Sequence, residues 1–282
     1  MSAERTGALA QEHLLLGADL RPSEDTGLLS VISYPREKDL DETLSSGAAL
    51  ADLTGSTYRL LTGAGAPALA AAALAGRRLS VGEAAFEAVV TGDGALAAVP
   101  LCLRCGDHEL VLLDPTPRGA VAAGWIGFLS GIEQGGRAAF PEVELEEASG
   151  MLVPLLLAGA AAEAVLADYV RAEEPLPGPG RVTSLHLDAI PALVARADDL
   201  GTPCYVVLVP PASARVLWRS LLSFTEVEPV GSRAVAALFE GRAPWSCALS
   251  PEGPARVGRA RLASWGLVRE EDDFVGARAL DP

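Results

Sequence analysis

The residues Thr91-Gly92-Asp93-Gly94 lie between two apolar runs, 85–90 and 95–103. This arrangement constrains the fold more than any other feature of the chain. An Asp-Gly pair between apolar runs closes a hairpin, because glycine accepts the positive φ that such turns need. The two runs are therefore expected to pair antiparallel. The run at 109–113 is the next strand, and Gly63-Ala64-Gly65 ends another at 58–62.

The rest of the pattern agrees with that start. Further strands are expected at 27–34, 143–147, 151–157, 182–187, 193–196 and 205–209. Helices are expected at 10–20, 66–75, 118–132, 160–170, 212–224 and 232–240, and an amphipathic helix at 39–53 runs into a strand. Pro210-Pro211 opens the helix at 212–224, a position where proline fits because its missing N–H has no partner to lose. The Pro/Gly-rich stretch 173–181 and the turn-rich stretch 241–258 read as loops. Strands outnumber helices and fall into hairpin and strand-helix-strand groups. That is an α+β pattern with antiparallel sheets flanked by helices.

The length of 282 residues is enough for one or two domains and a sizeable core. Only 5% of residues are aromatic, so that core is built from Ala, Leu and Val. A formal net charge of −15 argues against nucleic acid and anionic membrane surfaces, which reward Lys and Arg. The N-terminal residues 1–5 are polar, and no apolar run approaches the ~18 residues of a membrane span. A soluble cytoplasmic protein is the expectation. Cys102-Leu103-Arg104-Cys105 has the spacing of half a zinc or redox site. No second such pair exists, and His13, His108 and His186 are scattered, so no metal is expected.

A series of short segments follows one order along the chain. Asp52-Leu53-Thr54-Gly55 precedes the Gly63 turn, then come Asp93-Gly94, Leu157-Ala158-Gly159 and Tyr205-Val206-Val207-Leu208-Val209-Pro210. Gly231-Ser232-Arg233, Trp265-Gly266-Leu267-Val268 and Asp273-Phe274-Val275-Gly276 complete it. Together these segments resemble the aminomethyltransferase family, the glycine-cleavage T-protein and its folate-dependent demethylase relatives. The resemblance covers roughly residues 10–280. It implies two interleaved modules, 1–55 with 140–225 and 56–139 with 226–282. It also implies that the C-terminal barrel of the family, which normally follows the segment matched by 273–276, is absent here.

The resemblance implies tetrahydrofolate as cofactor and one-carbon transfer as chemistry. An aspartate of the family helps a cationic transfer state, since a preorganised negative charge stabilises developing positive charge. The matching Asp-Asp pair falls here on Ala98 and Val99. A second family carboxylate holds two pterin N–H donors, a charge-assisted bidentate contact. The closing Val-Pro fixes the register and puts Val206 in its place. Leaving those donors unpaired costs roughly 1–3 kcal/mol. Asp93, Asp198 and Asp199 are the local carboxylates that remain, and Asp93 and Asp199 are the catalytic candidates. Arg233, Trp265, Arg196 and Phe86 match positions of the family site and are the implied cofactor-binding residues. A turn role for Asp93, an ion-pair role for Arg233, a strand-end role for Arg196 and a packing role for Trp265 stand beside these assignments.

No dinucleotide fingerprint, phosphate-binding P-loop or nucleophile elbow is present. Three readings follow. The first is a divergent folate-dependent methyl or aminomethyl transferase-like enzyme. The second is a repurposed, folate-independent enzyme or binder for an apolar small molecule. The third is a non-catalytic subunit, with a second copy or a partner chain covering an exposed face.

Overall fold

A computed structural model of the chain describes residues 5–249 and 254–280. Residues 1–4, within the expected polar N-terminus, and 250–253, within the expected loop 241–258, lie outside the described residues.

Along the chain, α1 (Ala10–Leu15), β1 (Asp19–Pro22) and β2 (Leu29–Ser33) come first, then α2 (Leu40–Ser46) and β3 (Ala48–Asp52). The Asp39 side chain caps α2 by accepting the Glu42 N–H at 3.0 Å. β4 (Thr57–Thr62), α3 (Ala66–Ala73), β5 (Ala84–Phe86), β6 (Val89–Val90), β7 (Ala95–Ala98), β8 (Leu101–Gly106) and β9 (Glu109–Asp114) follow. Then come α4 (Gly119–Ser130), β10 (Glu133–Gln134), β11 (Arg137–Ala138), β12 (Glu144–Glu147), β13 (Val153–Ala158) and α5 (Ala162–Ala167). The last third holds β14 (Arg181–Leu187), β15 (Ile190–Arg196), β16 (Cys204–Val209), α6 (Pro211–Leu221), β17 (Val227–Pro229) and α7 (Ser232–Arg242). A short strand β18 (Ala255–Arg256) and α8 (Arg259–Ser264) close it. No helix among the described residues is long and apolar enough to cross a membrane.

The chain divides into two compact units, Met1–Ser56 with Ala148–Ala243, and Thr57–Glu147 with Pro244–Pro282. The first unit is built on a six-stranded sheet, ordered β14-β15-β16-β13-β3-β17. Its pairings are antiparallel except for the parallel edge pair β17–β3. Every residue of β3, β13 and β16 is buried, which explains why β13 and β16, and β3 up to Asp52, are continuously apolar rather than alternating. One face of the sheet carries Leu50, Leu155, Leu157, Tyr205 and Val207 into a core with Trp218 of α6. The other face presents Ala49, Ala51, Leu156, Val206 and Leu208, also buried.

The second unit holds a five-stranded sheet, β12-β4-β9-β8-β5, and a three-stranded one, β18-β7-β6. α3 and α4 supply Leu69, Ala73, Ile126 and Leu129 to its core, against Leu61, Leu110 and Leu112.

Three expectations need correction. The hairpin arms 85–90 and 95–103 are each broken in two: β6 pairs with β7 around the Asp-Gly turn, while β5 pairs with β8 in the other sheet. Pro100 has no N–H for the ladder, and its carbonyl accepts the Glu87 N–H at 3.0 Å where the pairing changes sheet. Residues 140–147 do not join the first unit, because β12 pairs with β4, Glu147 opposite Arg59. Residues 226–243 do not join the second, because Val227 of β17 pairs with Ala48 and Gly231 lies against the Ile32 carbonyl, closer than a side chain would allow. β1, the β10–β11 hairpin, β17, β18 and α8 were not expected from the sequence.

Candidate functional site

In the second unit, the break between β5 and β6 carries an ionisable group into the interior. Glu87 is only 1% exposed. Its Oε2 packs on Gly76 so closely that a Cβ there would overlap it, and no hydrogen-bond partner meets that oxygen. Burial pushes the Glu87 carboxyl up to about 8, against the opposing pull of Arg77, Arg269 and the Gly76 backbone. Near neutral pH it holds a proton at a buried carboxyl, a state found where acid–base groups are tuned.

Asp114, at the end of β9, is a second buried carboxyl. Its Oδ1 accepts the Thr116 hydroxyl at 2.6 Å and the Thr116 N–H at 2.8 Å, while Oδ2 is unpartnered. Burial raises it to about 6, with the Thr116 hydrogen bonds opposing. Cys102 lies on β8 with no exposure, and its thiol is raised by burial first, then by Glu87 and Asp114. Burial likewise pushes Cys105 up to about 12. Neither thiol is poised as a thiolate nucleophile. All four cysteines are free, and among the described residues no group of three or more His, Cys, Asp and Glu is placed to hold a metal ion.

The positions matched to the two family carboxylates are buried and apolar. Ala98 has no exposure, Val99 is 4% exposed and Val206 is 3% exposed. Asp93 stays at the hairpin turn, exposed, and accepts the Thr91 hydroxyl at 2.5 Å. That hydrogen bond holds its carboxyl below the usual range. Asp199 is exposed in the turn between β15 and β16.

The candidate cofactor-binding residues divide between the two units. In the first, Arg196 is tied into a local network. Its Nε meets both Asp198 carboxylate oxygens at 3.0 Å, and one terminal nitrogen reaches Glu163 at 2.9 Å and the Tyr205 hydroxyl at 3.0 Å. The guanidinium also lies 5.4 Å from the centre of the Tyr205 ring. Arg233 is exposed in the first turn of α7. In the second unit, Phe86 is buried against Trp245 with ring centres 5.1 Å apart. Trp265 is half-buried beneath the Arg261 guanidinium, 5.1 Å from its ring centre.

A buried chain of polar groups in the first unit also escaped the sequence reading, which treated His13 as one of three scattered histidines. His13 Nε2 lies 2.8 Å from Asp52 Oδ2, and Nδ1 lies 2.8 Å from the Tyr34 hydroxyl. An ionised carboxylate only accepts, so Nε2 carries the proton and Tyr34 donates to Nδ1. Asp52 Oδ1 accepts the Thr54 N–H at 2.8 Å, and Trp218 meets the imidazole edge-on at 5.0 Å. Burial first, then Asp52 and Glu37, raise the Tyr34 hydroxyl above the ordinary tyrosine range. These bonds fasten α1, β2 and β3 together. The sequence signal for Glu87 was a charged residue set in an apolar neighbourhood, whereas His13, directly after Gln11 and Glu12, carried no such signal.

No protein-family model matches the chain. It is similar to the aminomethyltransferase of Rubrobacter xylanophilus, 26% identical over 98% of this chain and 72% of the relative. It is similar also to the aminomethyltransferase of Streptomyces avermitilis, 26% identical over 99% of this chain and 74% of that one. The crystal structure of the glycine cleavage system aminomethyltransferase T from Bartonella henselae superposes with a TM-score of 0.72 at 20% identity, covering 98% of this chain and 74% of the other. The chain therefore has an aminomethyltransferase-like fold.

Proposed function

We propose that this aminomethyltransferase-like chain is a divergent, folate-type one-carbon transferase-like protein that does not use the two family carboxylates. One observation carries the reading: the likeness to aminomethyltransferases extends over 98% of the chain. The residues at the carboxylate positions do not fit tetrahydrofolate in the manner the resemblance implies. Val206 and Ala98 are buried and apolar, with nothing to accept a pterin N–H or to face a cationic transfer state. No one-carbon or proton step can be assigned to them. In the first unit, Arg233, exposed on α7, is the matched residue left to hold a folate by charge.

Calorimetry with tetrahydrofolate and 5-formyltetrahydrofolate tests this. Micromolar binding by the native chain, lost in Arg233→Ala, supports the reading. Absence of binding at millimolar ligand sinks it. The second reading, a binder of an apolar small molecule, then takes its place. Its support is the sheet face on which Ala49, Ala51, Leu156, Val206 and Leu208 sit without a polar side chain among them.

A further inference from the structure

The chain carries far more acid than base, 37 Asp and Glu against 22 Lys and Arg. Against that background one cavity of the second unit is reversed in charge. It has a volume of about 160 Å³, and Arg77, Arg78, Arg104 and Arg269 all line it, with Leu74 and Leu79 among its apolar walls. The arginines come from three places: the segment after α3, strand β8, and the segment after α8.

Arg269 is the fixed member. Its side chain is 7% exposed, its Nε meets Asp273 at 2.7 Å, and its terminal nitrogens donate to the carbonyls of Ala71, Leu74 and Gly76. Three carbonyls at the end of α3 thus hold the guanidinium in place. The other three keep donors available. Arg104 donates to the Asp107 carbonyl, but its Nε is buried without a partner. Arg77 makes long contacts, 3.7 Å to Glu83 and 3.4 Å to the Ala84 carbonyl. Arg78 pairs with Asp273, which it shares with Arg269. The Arg77 and Arg78 side chains are 53% and 64% exposed, so the mouth is open to solvent.

The charges do not balance. Four guanidinium groups face Asp273 and Glu83, with Glu271 acting on Arg269 as a further negative charge, and the neighbouring Glu87 is held largely protonated below about pH 8. Arg78 also works against the charge of Arg269, after burial, as a like-charge neighbour. A dianion in the cavity would relieve the excess charge. Guanidinium forks match the oxygens of a tetrahedral oxyanion, and the volume admits a small one.

We propose that this arginine-lined cavity is a binding site for a small oxyanion of the phosphate class, either free phosphate or the phosphate end of a phosphomonoester.

The test is calorimetric titration of the whole chain with inorganic phosphate, methyl phosphate and acetate, at matched ionic strength set with sodium chloride. Millimolar or tighter binding of phosphate, weakened about tenfold or more in Arg78→Ala and in Arg104→Ala, is the expected result. Methyl phosphate binding as well as phosphate points to a monoester, and preference for free phosphate points to the inorganic ion. Both agree with the proposal. Acetate binding more tightly than phosphate overturns it, as does phosphate binding that the variants leave unchanged, or none at all. Arg78→Ala removes an exposed side chain and guards against loss of fold. A melting temperature within a few degrees of the native chain without phosphate certifies each variant.

Discussion

Replacing Glu87 with Gln should reshape the pH dependence of stability. The carboxyl titrates at about 8 in the folded chain against an ordinary value of 4.5. The unfolded chain therefore releases this proton first as pH rises. Stability from Glu87 is fully present below about pH 4.5, falls progressively between about 4.5 and 8, and levels off above that. At 1.36 kcal/mol per pKa unit the loss has a ceiling of about 5 kcal/mol, and local relaxation around a charged Glu87 brings the expected loss to about 2–4 kcal/mol. The group is 1% exposed, so solvent does little to screen it.

Gln keeps the shape and cannot ionise. Its curve should lack this fall, while the contribution of Asp114, which titrates at about 6, stays in both proteins and cancels in the difference. The charged and titratable groups that face Glu87 are Arg77, Arg269 and Cys102, and all three are unchanged in the variant. Urea denaturation at about pH 5, 7 and 9 is the assay. The variant should match the native chain within about 1 kcal/mol at the lowest pH and exceed it by about 2 kcal/mol or more at the highest. Parallel curves would refute the reasoning. A native chain that gains on the variant as pH rises would mean that Arg269 and Arg77 hold Glu87 ionised, and would reverse the assignment.

Other outcomes can be checked by the same denaturation assay. His13→Ala leaves Asp52 and Tyr34 buried without their shared partner, so about 2–4 kcal/mol should be lost; a change below about 0.5 kcal/mol would show the chain of hydrogen bonds to be idle. Arg196→Ala should cost about 1–3 kcal/mol, and Arg196→Lys should recover little of it, because an ammonium cannot reproduce the paired contact to Asp198 together with those to Glu163 and Tyr205. Gly276→Ala should cost about 2 kcal/mol or more: its φ is +89°, and a Cβ would collide with the Thr91 carbonyl oxygen. An unaltered midpoint there would mean that the turn shifts freely.

The parts of this fold legible in the sequence are those whose reason is local. β13 and β16 are buried along their whole length and read as unbroken apolar runs. The glycines of the ordered segments are legible for a related reason. Gly63, Gly94 and Gly276 all have positive φ, and at each a side chain would strike a backbone carbonyl. What stayed hidden is set by partners far along the chain. β12 joins the second unit only because Glu147 pairs with Arg59, and β17 joins the first only because Val227 pairs with Ala48. No propensity within 140–147 or 226–243 contains that information.

The site divides along the same line. The resemblance, through a Gly or Val-Pro a set distance away, implies that Ala98 and Val206 stand where carboxylates would be expected. It cannot tell that a charged residue in an apolar run will be interior, since Glu is seldom fully buried and reads as a surface position. Glu87 is interior because Gly76 leaves room for its carboxyl and Pro100 interrupts the ladder beside it. Its N–H meets the Pro100 carbonyl, while Val89 pairs with Ala98 on the same two segments. The second unit thus has Ala98 on one segment and a protonated carboxyl on the adjoining one, packed on Gly76 and within electrostatic reach of Arg77 and Arg269. For the proposed phosphate site, a Glu87 ionised above about pH 8 near Arg77 and Arg269 should weaken binding even as phosphate itself becomes more fully dianionic. Affinity that falls from about pH 7 to 9 in the native chain but not in Glu87→Gln would join the two observations, and affinity that rises equally in both would separate them.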